Sequence, residues 1–311
     1  MEVNKIYNED CLTGLKRLAD ECIDCCITSP PYFGLRDYGH DEQIGLELTP
    51  ELFVEKIVEI FTEVKRVLKP NGTLWFNMGD TYYNYRGTND YSTKQTIANN
   101  NAHEMQSASG KRNFKNENLK GKDLIGIPWM CAFALRASGW YLRQDIIWAK
   151  PNPMPESVTD RCTKAHEYIF LMSKSEKYYY NADAIKTEMG CSEHDKRSRK
   201  SRKRFPTKLV NGIRGDHPDK VYEFANKRSV WVVNTKPYSE AHFATFPEEL
   251  IVDCILAGSA EGGVILDPFM GAGTTAVVAR KLLRNFIGFE LNSEYLKISE
   301  NRLRNELGMF L

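Results

Sequence analysis

The chain has 311 residues, 42% hydrophobic and 27% charged, which describes a soluble globular protein of one large α/β domain with an insertion, or of two domains. No apolar run approaches the ~20 residues of a bilayer span, and the N-terminal stretch lacks a signal-peptide pattern, so a membrane role is not expected. The net charge of +1 hides an asymmetry: residues 186–236 carry fourteen Lys/Arg against six Asp/Glu, an excess of +8 that leaves −7 for the remainder.

Lys5-Ile6-Tyr7 reads as a strand leading to Asn8-Glu9-Asp10-Cys11, after which Leu12, Leu15 and Leu18 mark a short helix. Cys22 to Ile27 is an apolar run of strand length that ends at Thr28-Ser29-Pro30-Pro31-Tyr32, where two prolines hold the backbone extended. A Gly- and Asp-rich loop, 33–48, contains Arg36-Asp37-Tyr38. Thr49-Pro50 is an N-cap with proline at the first helical position. Phe53, Ile57, Ile60, Phe61, Val64, Val67 and Leu68 then keep helical spacing until Pro70-Asn71-Gly72. Thr73 to Met78 predicts a strand. Residues 81–123 are polar and aperiodic, the pattern of a binding loop or a mobile one. Pro128 to Ser138 predicts a helix, and Trp140–Lys150 and His166–Met172 predict strands around a Pro-rich loop. Regular order resumes at Pro247: a helix to Ala257, a strand at 263–267, a glycine turn, a helix at 274–283, a strand at 285–290 and a helix from Ser293. Strands alternating with helices predict an α/β fold whose mostly parallel sheet is covered on both faces.

Eight cysteines lie mostly in apolar segments. Cys22 and Cys25 have C-x-x-C spacing, but no second pair or His pair completes a zinc set, so reduced, buried thiols and no metal are expected.

Two stretches carry chemistry. At Ser29-Pro30-Pro31-Tyr32 a hydroxyl and a proline carbonyl supply acceptors beside an aromatic ring, a set suited to an exocyclic amine on a stacked base. Taken alone, the same residues describe a strand ending in a stiff turn. The second stretch, Val264 to Thr275, is an apolar strand, an acidic residue and a glycine turn that opens a helix. It lacks the phosphate-loop lysine, and Asp267 would repel phosphate, so an amino-acid-like ligand with its ammonium near Asp267 fits better. One strand later Glu290 stands where a carboxylate grips ribose hydroxyls. The basic run Lys196-Arg197-Ser198-Arg199-Lys200-Ser201-Arg202-Lys203-Arg204 is either a solvated loop or the footprint of a polyanion; on an otherwise acidic chain the polyanion explains it better.

Asp267-Pro268-Phe269-x-Gly271-x-Gly273-Thr274-Thr275 resembles motif I of S-adenosylmethionine-dependent DNA amino-methyltransferases, and Thr28-Ser29-Pro30-Pro31-Tyr32 resembles their catalytic motif IV. Catalytic motif first, basic segment, then cofactor motif is the order of the β class, and the resemblance covers nearly the whole chain. It implies a Rossmann-like methyltransferase fold, S-adenosyl-L-methionine as cofactor, and methylation of a flipped base in double-stranded DNA. Ser29, Pro30, Pro31 and Tyr32 would be catalytic. Asp267, Phe269, Gly271, Gly273, Thr274, Glu290 and Asn292 would bind cofactor. His242-Phe243-Ala244-Thr245 is similar to motif X, which places His242, Phe243 and Thr245 at the methionine end. Asp10 and Cys11 would lie at the adenine, and Leu142–Lys150 with His166-Glu167 would shape the target-base pocket. Arg36, Lys196, Arg197, Arg199, Lys200, Arg202, Lys203 and Arg204 would contact DNA.

Serine at position 29 resembles the N4-cytosine branch more than the N6-adenine branch, where an acidic or amide residue is commoner; adenine remains the alternative. Protein glutamine methyltransferases share a Pro-Pro-Tyr corner but place the cofactor motif first, and a non-catalytic DNA-binding protein would not need both motifs intact. The expected organisation is residues 1–174 as catalytic half, 175–236 as basic target-recognition insertion and 237–311 as cofactor half. The resemblance implies a cytoplasmic protein of bacterial, archaeal or phage origin, monomeric or homodimeric, with room for a cognate restriction endonuclease as partner.

Overall fold

The computed structural model describes residues 1–35, 43–83, 118–188, 223–236 and 246–308. They fall into two compact units, Met1–Asn181 with Ser229–Leu311, and Ala182–Arg228.

The larger unit opens with β1 (Lys5–Tyr7), α1 (Cys11–Lys16) and β2 (Ile23–Thr28). β2 is buried nearly throughout, as a central parallel strand covered on both faces must be. Burial pushes the Cys25 thiol within it up to about 12, so that half of the C-x-x-C spacing is an inert core residue. α2 (Pro50–Val67) starts at Thr49, whose hydroxyl accepts the Leu52 N–H at 3.3 Å. Phe53, Ile57, Ile60, Phe61, Val64 and Val67 along it are completely buried. Each stabilises the fold by about 1.5–3 kcal/mol through removal from water. The backbone turns extended at Leu68 (φ −67°, ψ 139°), so the helix ends two residues before Pro70.

The next strand begins earlier than the sequence predicts. β3 (Leu68–Met78) pairs Leu68 with Ile23, bulges, and regains register where Thr73 meets Cys25. The bulge carries Lys69, whose ammonium lies 2.8 Å from Asp24. α3 (Ile127–Ala137), β4 (Tyr141–Ala149) and β5 (His166–Ser173) complete this half. The smaller unit contains a 3-10 turn, Asp183–Ile185, and the antiparallel pair β6 (Thr187–Glu188) and β7 (Phe224–Ala225). The larger unit resumes with β8 (Val230–Val232), α4 (Glu248–Gly258), β9 (Val264–Asp267), α5 (Thr274–Lys281), β10 (Asn285–Phe289) and α6 (Ser293–Leu307).

The sheet order is β1-β10-β9-β2-β3-β5-β4-β8. β1 through β3 run parallel, β5 is antiparallel to both its neighbours, and β8 is parallel to β4. The sheet is therefore mostly parallel, as expected. Helices α1, α2 and α3 pack with one another, and α4, α5 and α6 form a second set. The directions bring the carboxyl ends of β1, β10, β9, β2, β3 and β4, with the start of β5, to one edge. Sheet order reverses at β2, between β9 and β3, and the crevice at such a switch point is where open α/β sheets bind ligands.

Candidate active site

The two motifs, 239 residues apart in sequence, meet at this edge. The Thr28 hydroxyl donates to Asp267 Oδ1 at 2.6 Å, tying the end of β2 to the end of β9. The Thr275 hydroxyl donates to Oδ2 at 2.6 Å, and the Phe269 N–H donates to Oδ1 at 3.0 Å. Asp267 is 1% exposed, and burial raises its carboxyl from 3.8 to about 6. Asp267, expected near a ligand ammonium, thus has two threonine hydroxyls and a backbone N–H as its partners here. The carboxylate is enclosed and holds the glycine turn against the catalytic corner.

The turn is anchored a second time by Glu290. Its two carboxylate oxygens accept the Gly271 N–H at 2.7 Å and the Asn292 N–H at 2.8 Å. Burial, with the Asp267 charge nearby, holds the Glu290 carboxyl above its usual range. Gly271 has φ +53°, and among the described residues a Cβ built on it meets nothing closer than the Phe269 carbonyl at 4.0 Å, so the described residues leave open space over it. At Gly273 a Cβ would fall 2.8 Å from that of Ser299, so the missing side chain also lets the turn pack closely on α6. Thr274, expected at the cofactor, is buried and accepts from Arg302 at 2.9 Å. Asp10 caps α1 by accepting the Thr13 N–H at 2.9 Å, and Cys11 is buried at the helix start. The Asn292 side chain caps α6 through the Glu294 N–H at 2.8 Å. Asn8 donates to the carbonyls of Glu290 and Leu291 at 2.7 and 3.0 Å, joining the ends of β1 and β10.

On the other side of Thr28, Ser29 is partly exposed, Pro30 is buried, and Pro31 and Tyr32 are half-buried. The Tyr32 hydroxyl lies 2.6 Å from Glu167 Oε2 and 3.2 Å from Asn77 Oδ1. The charged, shorter contact takes the phenol hydrogen. Burial, with the Glu167 charge beside it, pushes the phenol well above its ordinary range. Gly79 lets the ring approach, since a Cβ there would stand 2.6 Å from Tyr32 Cε2. Lys150 forms an ion pair with Glu167 Oε1, and its ammonium sits 4.2 Å from the centroid of the Trp148 ring. The roles of Asn77, Gly79, Lys150 and Glu167 escaped residue-by-residue reading. The available signal was a charged residue just beyond an apolar strand on one side, Lys150, and at the strand start on the other, Glu167.

Further along the same edge, Asp80 caps α3 through the N–H groups of Gly126 and Ile127, at 3.0 and 3.1 Å. Tyr83 pairs with Asp123 at 2.8 Å, so the ends of the long polar stretch are held together. Arg36, Lys196, Arg197, Arg199, Lys200, Arg202, Lys203, Arg204, His242, Phe243 and Thr245 lie outside the described residues.

Comparison with known proteins decides the family. The profile of the N6/N4 methyltransferase family, described as DNA methylase, matches residues 23–301. The chain is 46% identical to the Type II methyltransferase M.Cfr9I of Citrobacter freundii over 305 residues, covering 97% of this chain and 88% of that protein. It is 43% identical to the Type II methyltransferase M.SmaI of Serratia marcescens, covering 96% of this chain and 90% of that protein.

The chain belongs to the N6/N4 DNA methylase family.

The methylase fold is shared with the cytosine-N4-specific PvuII DNA methyltransferase, at a TM-score of 0.64 and 17% identity over 96% of this chain and 85% of that one. It is shared also with TTHA0409 of Thermus thermophilus complexed with S-adenosyl-L-methionine, at a TM-score of 0.59 and 20% identity over 98% of this chain and 95% of that one. As a member of this family the chain is a DNA amino-methyltransferase, and S-adenosyl-L-methionine is its methyl donor. The residues fit such a cofactor: open space over Gly271 lies beside a carboxylate at the end of β10.

Proposed function

We propose that this methylase transfers a methyl group to the exocyclic N4 amine of a flipped cytosine in duplex DNA. The observation that carries the reading is the Thr28–Asp267 hydrogen bond, which sets the Ser29-Pro30 acceptors directly beside the glycine turn. Bound S-adenosyl-L-methionine supplies an electrophilic methyl on a sulfonium. Residues around the turn, Phe269, Gly271, Gly273 and Glu290, would hold it, together with Asp10, Cys11, Asn292, His242, Phe243 and Thr245. Glu290 retains lone pairs for ribose hydroxyls after accepting two N–H groups.

The chain's own task is orientation. The target amine is a poor nucleophile because its lone pair is conjugated into the base. Ser29 Oγ and the Pro30 carbonyl would accept its two hydrogens, favouring a pyramidal nitrogen whose lone pair faces the methyl. Tyr32 would stack on the extruded base and offset the few kcal/mol of unstacking. Cytosine is favoured over adenine because Ser29 stands where adenine enzymes more often carry an acidic or amide group, and the PvuII enzyme that shares the fold is cytosine-N4-specific.

The basic stretch would grip the phosphates, with residues 175–236 acting as target-recognition insertion between a catalytic half, 1–174, and a cofactor half, 237–311. The Type II relatives support pairing with a cognate restriction endonuclease and a cytoplasmic setting. The test is incubation with tritiated S-adenosyl-L-methionine and unmodified plasmid DNA, followed by digestion and chromatography of the nucleosides. Label in N4-methylcytosine supports the reading. Label in N6-methyladenine overturns the choice of base.

A further inference from the structure

Tyr32 lies beyond the end of β2, yet its ring is held from the interior of the sheet. Its hydroxyl is 2.6 Å from Glu167 Oε2 and 3.2 Å from Asn77 Oδ1. Glu167 stands at the start of β5 opposite Trp148 of β4, and Asn77 of β3 stands opposite Ile169 of β5. Both holders therefore sit on interior strands. Each is fixed in turn. Lys150 pairs with Glu167 Oε1, the two side chains only 17% and 15% exposed, and Asn77 Nδ2 donates to the Tyr168 carbonyl at 3.0 Å. An ion pair so shielded is screened much less than one on the surface. At the ring edge Gly79 leaves no room for a side chain, since a Cβ there would stand 2.6 Å from Tyr32 Cε2. Tyr32 is nonetheless only half-buried, so part of it stays open to a ligand.

We infer that Glu167, braced by Lys150, is a positioning residue that holds the Tyr32 ring in one orientation and so presets the platform on which the extruded base lands. This rests on the reading that Tyr32 stacks on that base. An unheld tyrosine turns about two side-chain torsions, and each orientation would carry a stacked base to a different place. Only one of them leaves the amine beside Ser29 and Pro30. Fixing the ring before the base arrives removes an ordering cost from the capture step.

The assay is steady-state methyl transfer from tritiated S-adenosyl-L-methionine to unmodified plasmid DNA, expressed per molecule competent to bind cofactor, with the thermal midpoint of each variant. Glu167→Ala removes the brace and should lower kcat/KM about tenfold with cofactor affinity near wild type. Tyr32→Phe keeps the ring and the Glu167–Lys150 pair but frees the ring from both holders, so it should cost about as much. Glu167→Gln should recover to within about threefold of wild type. Its oxygen can face Lys150 while its NH₂ donates to the Tyr32 oxygen, and the phenol hydrogen passes to Asn77 Oδ1. Tyr32→Ala has no ring to position and should be slowest, and adding Glu167→Ala to it should change nothing further. Should Glu167→Ala fail to fold, Tyr32→Phe decides alone.

Wild-type kcat/KM in Glu167→Ala or Tyr32→Phe, beside an impaired Tyr32→Ala, overturns this inference and leaves the stacking role standing. A Glu167→Gln no better than Glu167→Ala also overturns it. So does a further loss when Glu167→Ala is added to Tyr32→Ala, since Glu167 would then act by a route that bypasses the ring. Wild-type kcat/KM in Tyr32→Ala overturns the stacking reading itself.

Discussion

At the ends of β9 and β10 the polar groups are two carboxylates, Asp267 and Glu290, whose partners are backbone N–H groups and threonine hydroxyls. Beside Ser29 at the end of β2 they are side chains, Tyr32, Asn77, Glu167 and Lys150, drawn from four strand ends and linked by hydrogen bonds. The first region is a frame of backbone and threonine donors around an open space; the second is a side-chain network beside the Ser29-Pro30 acceptors. One sheet edge thus separates shape from polarity. A ligand that needs room and a fixed turn sits on one side, and a reacting amine that needs oriented acceptors sits on the other. Thr28 stands between the two, because its hydroxyl closes the frame while the chain after it carries the Ser29-Pro30 acceptors.

Filling the open space strikes the frame without touching the network. Gly271→Val places a branched side chain where φ is +53° and where the cofactor would lie. Calorimetric titration should show affinity for S-adenosyl-L-methionine falling on the order of a thousandfold, about 4 kcal/mol. Unchanged affinity would remove the glycine turn from the cofactor site.

Removing the frame's central acceptor tests rigidity. Asp267→Ala leaves the Thr28 and Thr275 hydroxyls buried without their acceptor, and should cost about 1–3 kcal/mol in chemical denaturation as well as weakening cofactor affinity. The wild-type carboxyl also gives a signature in pH. Its folded pKa of about 6 lies above the ordinary 3.8, so the folded state binds the proton more tightly than the unfolded one. The stability it contributes is complete below 3.8 and is lost as pH rises through about 6. Between pH 7 and 4 the wild type should gain about 1–3 kcal/mol from this group. Asp267→Ala should lack that increment, and a parallel pH profile in the two proteins would contradict the buried frame.

The smallest effect is expected from residues that belong to neither region. Replacing Arg202, Lys203 and Arg204 with alanine should leave cofactor affinity and the network untouched. It should lower the slope of log DNA affinity against log salt by up to about 3, one increment for each lost phosphate contact. An unaltered slope would make the run a solvated loop.

Much of this was legible in the sequence because the signals were local. Proline at the start of α2, the apolar periodicity of that helix and the strand–Asp–Gly–helix turn each lie within a few residues of what they determine. The Thr28–Asp267 bond was not legible, since it depends on β2 and β9 being neighbours, and sheet order is set by packing across the chain. For the same reason the enclosure of Asp267 by two threonines and a backbone N–H was not legible. Glu167 read as part of a pocket-shaping motif, because its partners Tyr32 and Lys150 come from other strand ends. β3 read as starting at Thr73, since Pro70-Asn71-Gly72 signals a turn whether or not a strand continues on both sides of it.

The central claim is that the Ser29 corner performs transfer while the β9–β10 frame holds the donor. Single-turnover methyl transfer by Ser29→Ala on a cognate duplex, with cofactor affinity measured on the same sample, tests it most directly. Loss of one transition-state acceptor should slow transfer by about a hundredfold or more while S-adenosyl-L-methionine binds as to wild type. A wild-type rate of transfer in Ser29→Ala would contradict the account.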